Sequence, residues 1–395
     1  MKIADQPTSP AANQLDISIV MPCLNEEDGV AECVGKALDW ISRAGMRGEV
    51  IVVDNNSTDR SAEIAAAAGA RVIPEKEPGY GAALRRGFRE ARGKYMVMGD
   101  CDGTYEFSQL DPLVGPLGEG YDLVMGNRLT DQLEHGAMPW AHRVIGTPMI
   151  SWMLRLFTGA KITDSQCGIR AMRRDSIQAL GLRTPGMEFA SEMILKAMQH
   201  NLKLTEVPVP YNVRVGEAKL STIRDGWRHL RFLLISSPSY AFLAPGFLSL
   251  LLGLICLVIT VAATSGVSIF GFDWQPVFAA SIFFVIGINA VMLGLLAKLL
   301  AVRTGDIESR LVTFYHNYLG LEHMMAISLA MFVSGILIDT GVLIAWLNDS
   351  SVDLIPWTAL AQSLILIGAN LLLGAFAAAM VEDYATPPEF VSVDD

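Results

Sequence analysis

Residues 94–110 read KYMVMGDCDGTYEFSQL. An apolar run ends in Gly99, and Asp100 and Asp102 then bracket Cys101. A short Val/Met-rich run closed by polar turn residues predicts a buried strand. Four other stretches share this form: DISIVMP at 16–22, EVIVVD at 49–54, ARVIPE at 70–75 and DLVMGNR at 122–128. Helical stretches at 27–44, 58–69 and 79–92 lie between them. The alternation predicts an α/β domain, a parallel sheet covered on both faces. Ligands bind such sheets outside the carboxyl ends of the strands. Here those ends are Asn25-Glu26, Asp54-Asn55, Glu75, Asp100 to Asp102, and Asn127-Arg128, all polar and rich in acids.

A single carboxylate at a strand end commonly caps a helix or forms a turn. Two carboxylates one residue apart, on a loop leaving a buried strand, can instead reach the same side of a divalent cation. Hard ions such as Mg2+ and Mn2+ take oxygen ligands, often one or two carboxylates plus phosphate oxygens. Asp100 and Asp102 are therefore the candidate metal ligands. The Gly-rich stretch PGYGAALRRG at 78–87 lacks the G-x-G-x-x-G spacing, which argues against NAD. The helix start near Gly79 to Gly81 reads either as a phosphate site or as a plain helix N-terminus.

The chain has 395 residues and is 51% apolar, with a mean hydropathy of +0.37. The apolarity is concentrated after residue 231. Segments 239–263, 276–301, 324–347 and 357–381 each meet the roughly 20 apolar residues of a membrane-spanning helix. Loops 264–275 and 348–356 hold no Lys or Arg, whereas Arg303 and Arg310 flank the middle loop and Arg224, Arg228 and Arg231 precede the first span. The positive-inside rule then places the N-terminal domain, the middle loop and the C-terminus in the cytoplasm, and the expected location is a bacterial cytoplasmic (inner) membrane. MKIADQPTSPAANQ is too polar for a signal peptide. Cys23, Cys33, Cys101, Cys167 and Cys256 show no metal or disulfide spacing and are expected as free thiols. The net charge of −11 argues against nucleic-acid binding.

The motifs MPCLNEE, VVDNNSTDRS, PGYGAALRRGF, MGDCDGTY, GNR, TDSQCGIRAMRRD, EFASEMILKA and EVPVPY occur in an order that resembles family 2 glycosyltransferases. The similarity is greatest to the dolichol-phosphate (polyprenyl-phosphate) mannose and glucose synthases, and it covers roughly 16–232. It implies a GT-A (Rossmann-like) catalytic domain, a nucleotide-sugar donor of UDP-glucose or GDP-mannose type, Mg2+ or Mn2+, and inversion at the anomeric carbon. Carried over, Pro22, Asn25, Glu26 and Asp54 match nucleoside-binding positions; Gly81, from the helix start read above, joins them as a candidate donor-binding residue. Asp100 and Asp102 match the metal and diphosphate motif. Asp164 and Gln166 fall in the loop implied to lie near the sugar. Arg128, Arg143 and Thr147 match acceptor-phosphate positions, with Arg214 and Lys219 as further cations for that phosphate. Two departures stand out: DNNSTD replaces the commoner DDGSTD, and GEAKLS keeps Lys219 but has Ala218 in place of a serine.

The expected organisation is a flexible N-terminus (1–15), the catalytic domain (16–217), an amphipathic juxtamembrane helix (218–238), four transmembrane helices (239–381) and a C-terminal tail (382–395). In the juxtamembrane segment, Leu220, Ile223, Trp227, Leu230 and Leu234 recur at helical spacing beside three arginines, as in a helix lying among lipid headgroups. The other reading is a linker packed on protein. Glu188 and Glu192 share a helix face and either support the site or face solvent. Asp339 falls inside the third span, where a carboxylate is costly. The favoured activity is hexose transfer to a polyprenyl phosphate. A lipid phosphate is mostly dianionic at pH 7 and attacks without a base, so Asp100, Asp102, Arg128 and Arg143 carry the chemistry. The alternatives are a hydroxyl-bearing lipid acceptor with Asp164 as base, and a lipid-carrier transporter or scaffold. The number of chains is open, a homo-oligomer included.

Overall fold

The computed structural model describes residues 15–216, 222–262, 267–269, 272–274, 276–303, 309–348 and 354–384. The chain divides into two units, one up to Leu233 and one from Leu234 onward.

In the first unit, β1 (Leu15–Cys23), β2 (Gly48–Asp54), β3 (Arg71–Pro74), β4 (Gly93–Met98), β5 (Leu123–Asn127), β6 (Arg170–Arg173) and β7 (Leu204–Pro208) form one sheet. Its order is β3-β2-β1-β4-β6-β5-β7. Three helices follow the early strands as expected: α1 (Val30–Arg43), α2 (Ser61–Ala67) and α3 (Tyr80–Glu90). Then come α4 (Asp111–Gly118), α5 (Thr147–Thr158), α6 (Arg174–Gln178), α7 (Phe189–Gln199) and α8 (Thr222–Ser236). One buried cluster lies on each face of the sheet, around Ile19, Val34 and Phe107 on one side and Val20, Leu84 and Phe189 on the other.

The sheet is not wholly parallel, which corrects the sequence expectation. β6 is antiparallel to both β4 and β5, while β5 pairs in parallel with β7. The reversal has a physical anchor in Arg170, which is fully buried at the start of β6. Its guanidinium donates to the carbonyls of Cys167 at 3.0 Å, Ala190 at 2.9 Å and Ser165 at 2.9 Å, fastening the 163–169 loop to α7. Burial pushes the Arg170 pKa down from its ordinary value.

In the second unit, α9 (Ala244–Ala262) follows a π-helical turn at Ser239–Leu243, and a hairpin of β8 (Val267–Ile269) and β9 (Phe272–Trp274) leads to α10 (Pro276–Arg303). Next are α11 (Arg310–Phe314), α12 (Leu321–Leu347) and α13 (Ile355–Tyr384). Four helices are long and apolar enough to cross a membrane: Ser239–Ala262, Pro276–Val302, Leu321–Leu347 and Ile355–Glu382. They match the four spans read from sequence to within three residues at either end. Asn289 donates to Asn370 at 3.1 Å, bonding α10 to α13. Asp339 is exposed on α12.

The helix–sheet contact sets a tight tolerance at Gly87. A Cβ there would lie 2.2 Å from Cγ1 of Val20, which is fully buried on β1 and stiff at χ1. Gly87→Ala should therefore destabilise by about 1–3 kcal/mol despite the better helix propensity of alanine. A melting temperature of the detergent-solubilised protein equal to or above wild type would contradict this.

Candidate functional site

The carboxyl ends of β1, β2 and β4 converge on a cavity of about 500 Å3. Pro22, Glu26, Asn55, Tyr80, Asp100, Asp102, Met187, Arg214 and Arg228 are among its walls. Asp102 is buried and held in place by Thr104, whose amide and hydroxyl donate to Oδ1 at 3.1 and 2.6 Å. Its Oδ2 lies 3.0 Å from Nη1 of Arg214, which also bridges to Glu26. Asp100 is half-buried. Burial, and then the charge on Asp102, push its pKa up to about 7. Two carboxylates placed together at a strand end are a donor set suited to a hard divalent cation. Among the described residues no three His, Cys, Asp or Glu side chains form a metal-ligand group.

Several expected donor residues act one step back from this cavity. Asn25 has a left-handed backbone (φ 52°), and its Oδ1 accepts the Thr58 amide at 2.7 Å, tying the β1 and β2 loops together. Asp54 accepts the Ser57 amide at 3.2 Å and shapes the same turn. Asn55, one of the two residues of the DNNSTD departure, reaches further: it donates to the carbonyls of Glu75 at 3.1 Å and Glu77 at 2.7 Å and accepts from Gly79 at 2.7 Å. Gly81 is not in the wall. A Cβ at that position would lie 2.3 Å from the Thr184 carbonyl oxygen, so this glycine serves close packing. Glu192 supports the same loop, accepting the Thr184 amide at 2.8 Å and hydroxyl at 2.6 Å.

A second, smaller cavity of about 190 Å3 lies alongside, and Met187 lines both. Its polar wall is Arg128, His142, Thr147, Gln166, Tyr211 and His229. Arg128 is buried and paired bidentately with Asp164, Nε to Oδ2 at 2.8 Å and Nη2 to Oδ1 at 2.9 Å, and its guanidinium carbon sits 5.2 Å from the centroid of the Tyr211 ring. Burial pushes the Asp164 carboxyl up, but the charge and hydrogen bonds of Arg128 outweigh it and hold it below the usual range. The five expected acceptor-side residues thus separate. Arg128 and Thr147 line this cavity, and Arg143 is exposed on the adjoining turn. Arg214 stands in the first cavity instead, and Lys219 lies outside the described residues. Gln166 also belongs to the second cavity, and Asp164 is the buried partner beneath it.

Beside the second cavity the surface is apolar. Trp140 is 69% exposed, and Val144, Ile145, Met149, Trp152 and Leu156 continue the face along the π-helical turn at His142–Gly146 and α5. On α8 the side chains of His229 and Leu233 are buried against the first unit while Trp227 is 60% exposed. One face of this helix is thus packed on protein, as the linker reading expects, and another is left exposed.

A model of the family described as "Glycosyl transferase family 2" matches residues 18–181, and one described as "Glycosyltransferase family 2 C-terminal transmembrane region" matches 295–382. The low-salt glycan biosynthesis hexosyltransferase Agl6 of Haloferax volcanii is 34% identical over 91% of this chain and 87% of its own. The chain belongs to glycosyltransferase family 2. A dolichyl-phosphate hexose transferase of the same organism is 33% identical to this glycosyltransferase over 53% of the chain and 89% of its own. Glucosyl-3-phosphoglycerate synthase from Mycobacterium tuberculosis, solved with Mg2+ and uridine diphosphate, superposes with a TM-score of 0.45 at 24% identity, over 56% of this chain and 78% of that one. The GT-A-like catalytic unit and multi-pass helical unit of this glycosyltransferase are those its sequence led one to expect.

Sequence reasoning missed Tyr80, Met187, His229 and the exposed face of α5. Tyr80 stood inside the quoted PGYG motif, and the α5 face could have been found from Trp140, Val144 and Trp152 at helical spacing.

The Arg128–Asp164 pair generates a stability prediction. The folded pKa of Asp164 is lowered, so its contribution is present in full above the unfolded value near ~4 and is lost as the pH falls through the folded value. Asp164→Asn should cost about 3–5 kcal/mol at neutral pH, because a buried guanidinium loses its counter-charge. The variant should also lose this part of the acid dependence. A variant that melts like wild type at pH 7 would show that the pair is energetically idle.

Proposed function

We propose that this protein is an inverting membrane hexosyltransferase that moves a hexose from a nucleotide sugar, of UDP-glucose or GDP-mannose type, to a polyprenyl phosphate. The product would be a lipid-linked sugar for assembly of cell-envelope glycans or glycoconjugates. The observation that carries this reading is the pairing of two neighbouring cavities, one walled by Asp100, Asp102 and Arg214, the other by Arg128, Thr147 and Gln166. Relatives named as a dolichyl-phosphate hexose transferase and a dolichol-phosphate mannosyltransferase support the acceptor class.

The first cavity takes the donor. Asp100 and Asp102 fit Mg2+ or Mn2+, since both are oxygen donors and their mutual repulsion is relieved by a shared cation. Such an ion, when bound, neutralises charge on the departing nucleoside diphosphate. Arg214 stands beside Asp102, where it meets the same diphosphate rather than the acceptor.

The second cavity takes the acceptor phosphate. Arg128 arrives with its fork fixed by Asp164, so little ordering entropy is lost on binding. Among the described residues no Asp or Glu lines this cavity, and Asp164 is committed to Arg128, which removes it as a general base. A phosphate dianion needs none. The exposed apolar face of Trp140, Val144, Ile145 and Met149 suits the lipid headgroup region from which such an acceptor arrives.

Transfer from a radiolabelled nucleotide sugar to purified polyprenyl phosphate should require a divalent cation and be abolished by Asp102→Ala. Arg128→Ala should weaken the acceptor dependence by at least about tenfold, the scale of one lost charge-assisted contact. Equal glycosylation of the dephosphorylated lipid alcohol would replace this reading with the hydroxyl-acceptor one.

The catalytic unit and the loop between α10 and α11 are assigned to the cytoplasmic face by their arginines. A cysteine placed at position 349 should label from outside the cell and one at 307 should not. The opposite pattern would invert the topology.

A further inference from the structure

Consecutive residues of α8 enter different cavities. Arg228 lines the larger one with Asp100, Asp102 and Arg214, whereas Gly226 and His229 line the smaller one with Arg128, Thr147 and Gln166. Adjacent helical residues point about 100° apart, so a helix wedged between two cavities can serve both. Met187 lines both cavities as well, which makes it and α8 a common partition.

His229 is too well held for a mere surface residue. It is 5% exposed, and its Nδ1 lies 3.0 Å from Oγ of Ser191, a fully buried hydroxyl on α7. Ser191 in turn accepts from Nε2 of Gln166 at 3.4 Å, and that amide also donates to Ser165 at 3.0 Å. With Ser191 accepting from Gln166, its own proton is free to go to Nδ1, the arrangement in which the imidazole carries its hydrogen on Nε2. A chain of buried hydroxyl and amide groups thus holds the ring of a cavity-lining histidine in place, and in that tautomer it is a donor. A cavity that receives an anion needs such donors. In the larger cavity Glu26 and Asp102 already engage Arg214, and an incoming diphosphate calls for a second cation.

We propose that α8 gives one binding residue to each substrate, Arg228 to the diphosphate of the donor and His229, held by Ser191, to the phosphate of the acceptor. This rests on the assignment of donor and acceptor made above. It makes the juxtamembrane helix part of the substrate sites as well as a link to the membrane.

The test uses the full-length protein in lipid vesicles, with KM measured separately for nucleotide sugar and for polyprenyl phosphate. Arg228→Gln should raise the donor KM about tenfold or more and leave the acceptor KM within about twofold. His229→Ala should do the reverse, and His229→Gln, which restores an N–H near Nε2, should recover most of the loss. Ser191→Ala should follow His229→Ala in the same direction, more weakly. Melting temperatures taken in parallel identify any variant that fails by unfolding, and His229→Gln then carries the comparison. Variants that move both KM values together, or neither, would overturn the proposal and leave α8 as an anchor. A wild type that glycosylates no lipid phosphate would instead overturn the acceptor assignment and the His229 half with it. Titration of UDP and GDP with Mg2+ reads the Arg228 half independently: unchanged nucleotide affinity in Arg228→Gln overturns it.

Discussion

Asp100 and Asp102 leave β4 one residue apart, where burial and the neighbouring charge hold the Asp100 carboxyl above its ordinary range, and the surrounding loops are built around that crowding. Asp102 is quietened by the Thr104 amide and hydroxyl and by Arg214. Asp100, pressed by burial and by the charge on Asp102, is left with a pKa of about 7. The loops that surround the pair are braced from outside by Asn25, Asp54 and Asn55, whose side chains bond backbone groups of neighbouring strand ends. Arg214 balances one charge of the pair, and the other bracing side chains add no cation. That arrangement favours a divalent cation on electrostatic grounds before any substrate arrives.

The second cavity solves the opposite problem. A buried guanidinium must have its donors satisfied; Arg170 meets this with carbonyls, and for Arg128 Asp164 supplies a counter-charge and two hydrogen bonds beside the ring of Tyr211. The 163–169 loop that carries Asp164 also carries Gln166 and is clamped by Arg170. One loop therefore sets the charge, the hydrogen-bonding and the depth of the cavity. The antiparallel β6 makes this work: by reversing direction next to β4, it brings the 163–169 loop to the same sheet edge as Asp100.

How much was legible in the sequence follows from which signals are local. Strand ends, spans and the aspartate pair are local: β1, β2 and β4 are runs of apolar residues, and each spanning helix exceeds any core helix in uncharged length. β6 was hidden because RAMR is four residues long and flanked by charge, and its burial depends on long-range contacts. Asp164 reads as a sugar ligand or a base until its partner is known, and Arg214 reads as an acceptor cation until the fold turns it toward Asp102. Gly81 looks like a phosphate loop because close packing and phosphate binding ask the same thing of a glycine. The exposed face of α5 was missed for a different reason: an amphipathic helix at a lipid surface and one in a protein core carry the same periodicity.

The strand order also bears on how the chain is made. β7 pairs directly with β5, although β6 comes between them in the sequence, so the sheet cannot close until residue 208 has left the ribosome. The first spanning helix begins at Ser239. The roughly thirty residues between them take about 2–6 s to synthesise at ordinary elongation rates. Mixed α/β sheets fold within milliseconds to seconds, so that interval lets the catalytic unit close before the first apolar helix meets the insertion machinery. The segment that includes α8 is in this sense a timer, and its length separates a folding step in water from an insertion step in lipid.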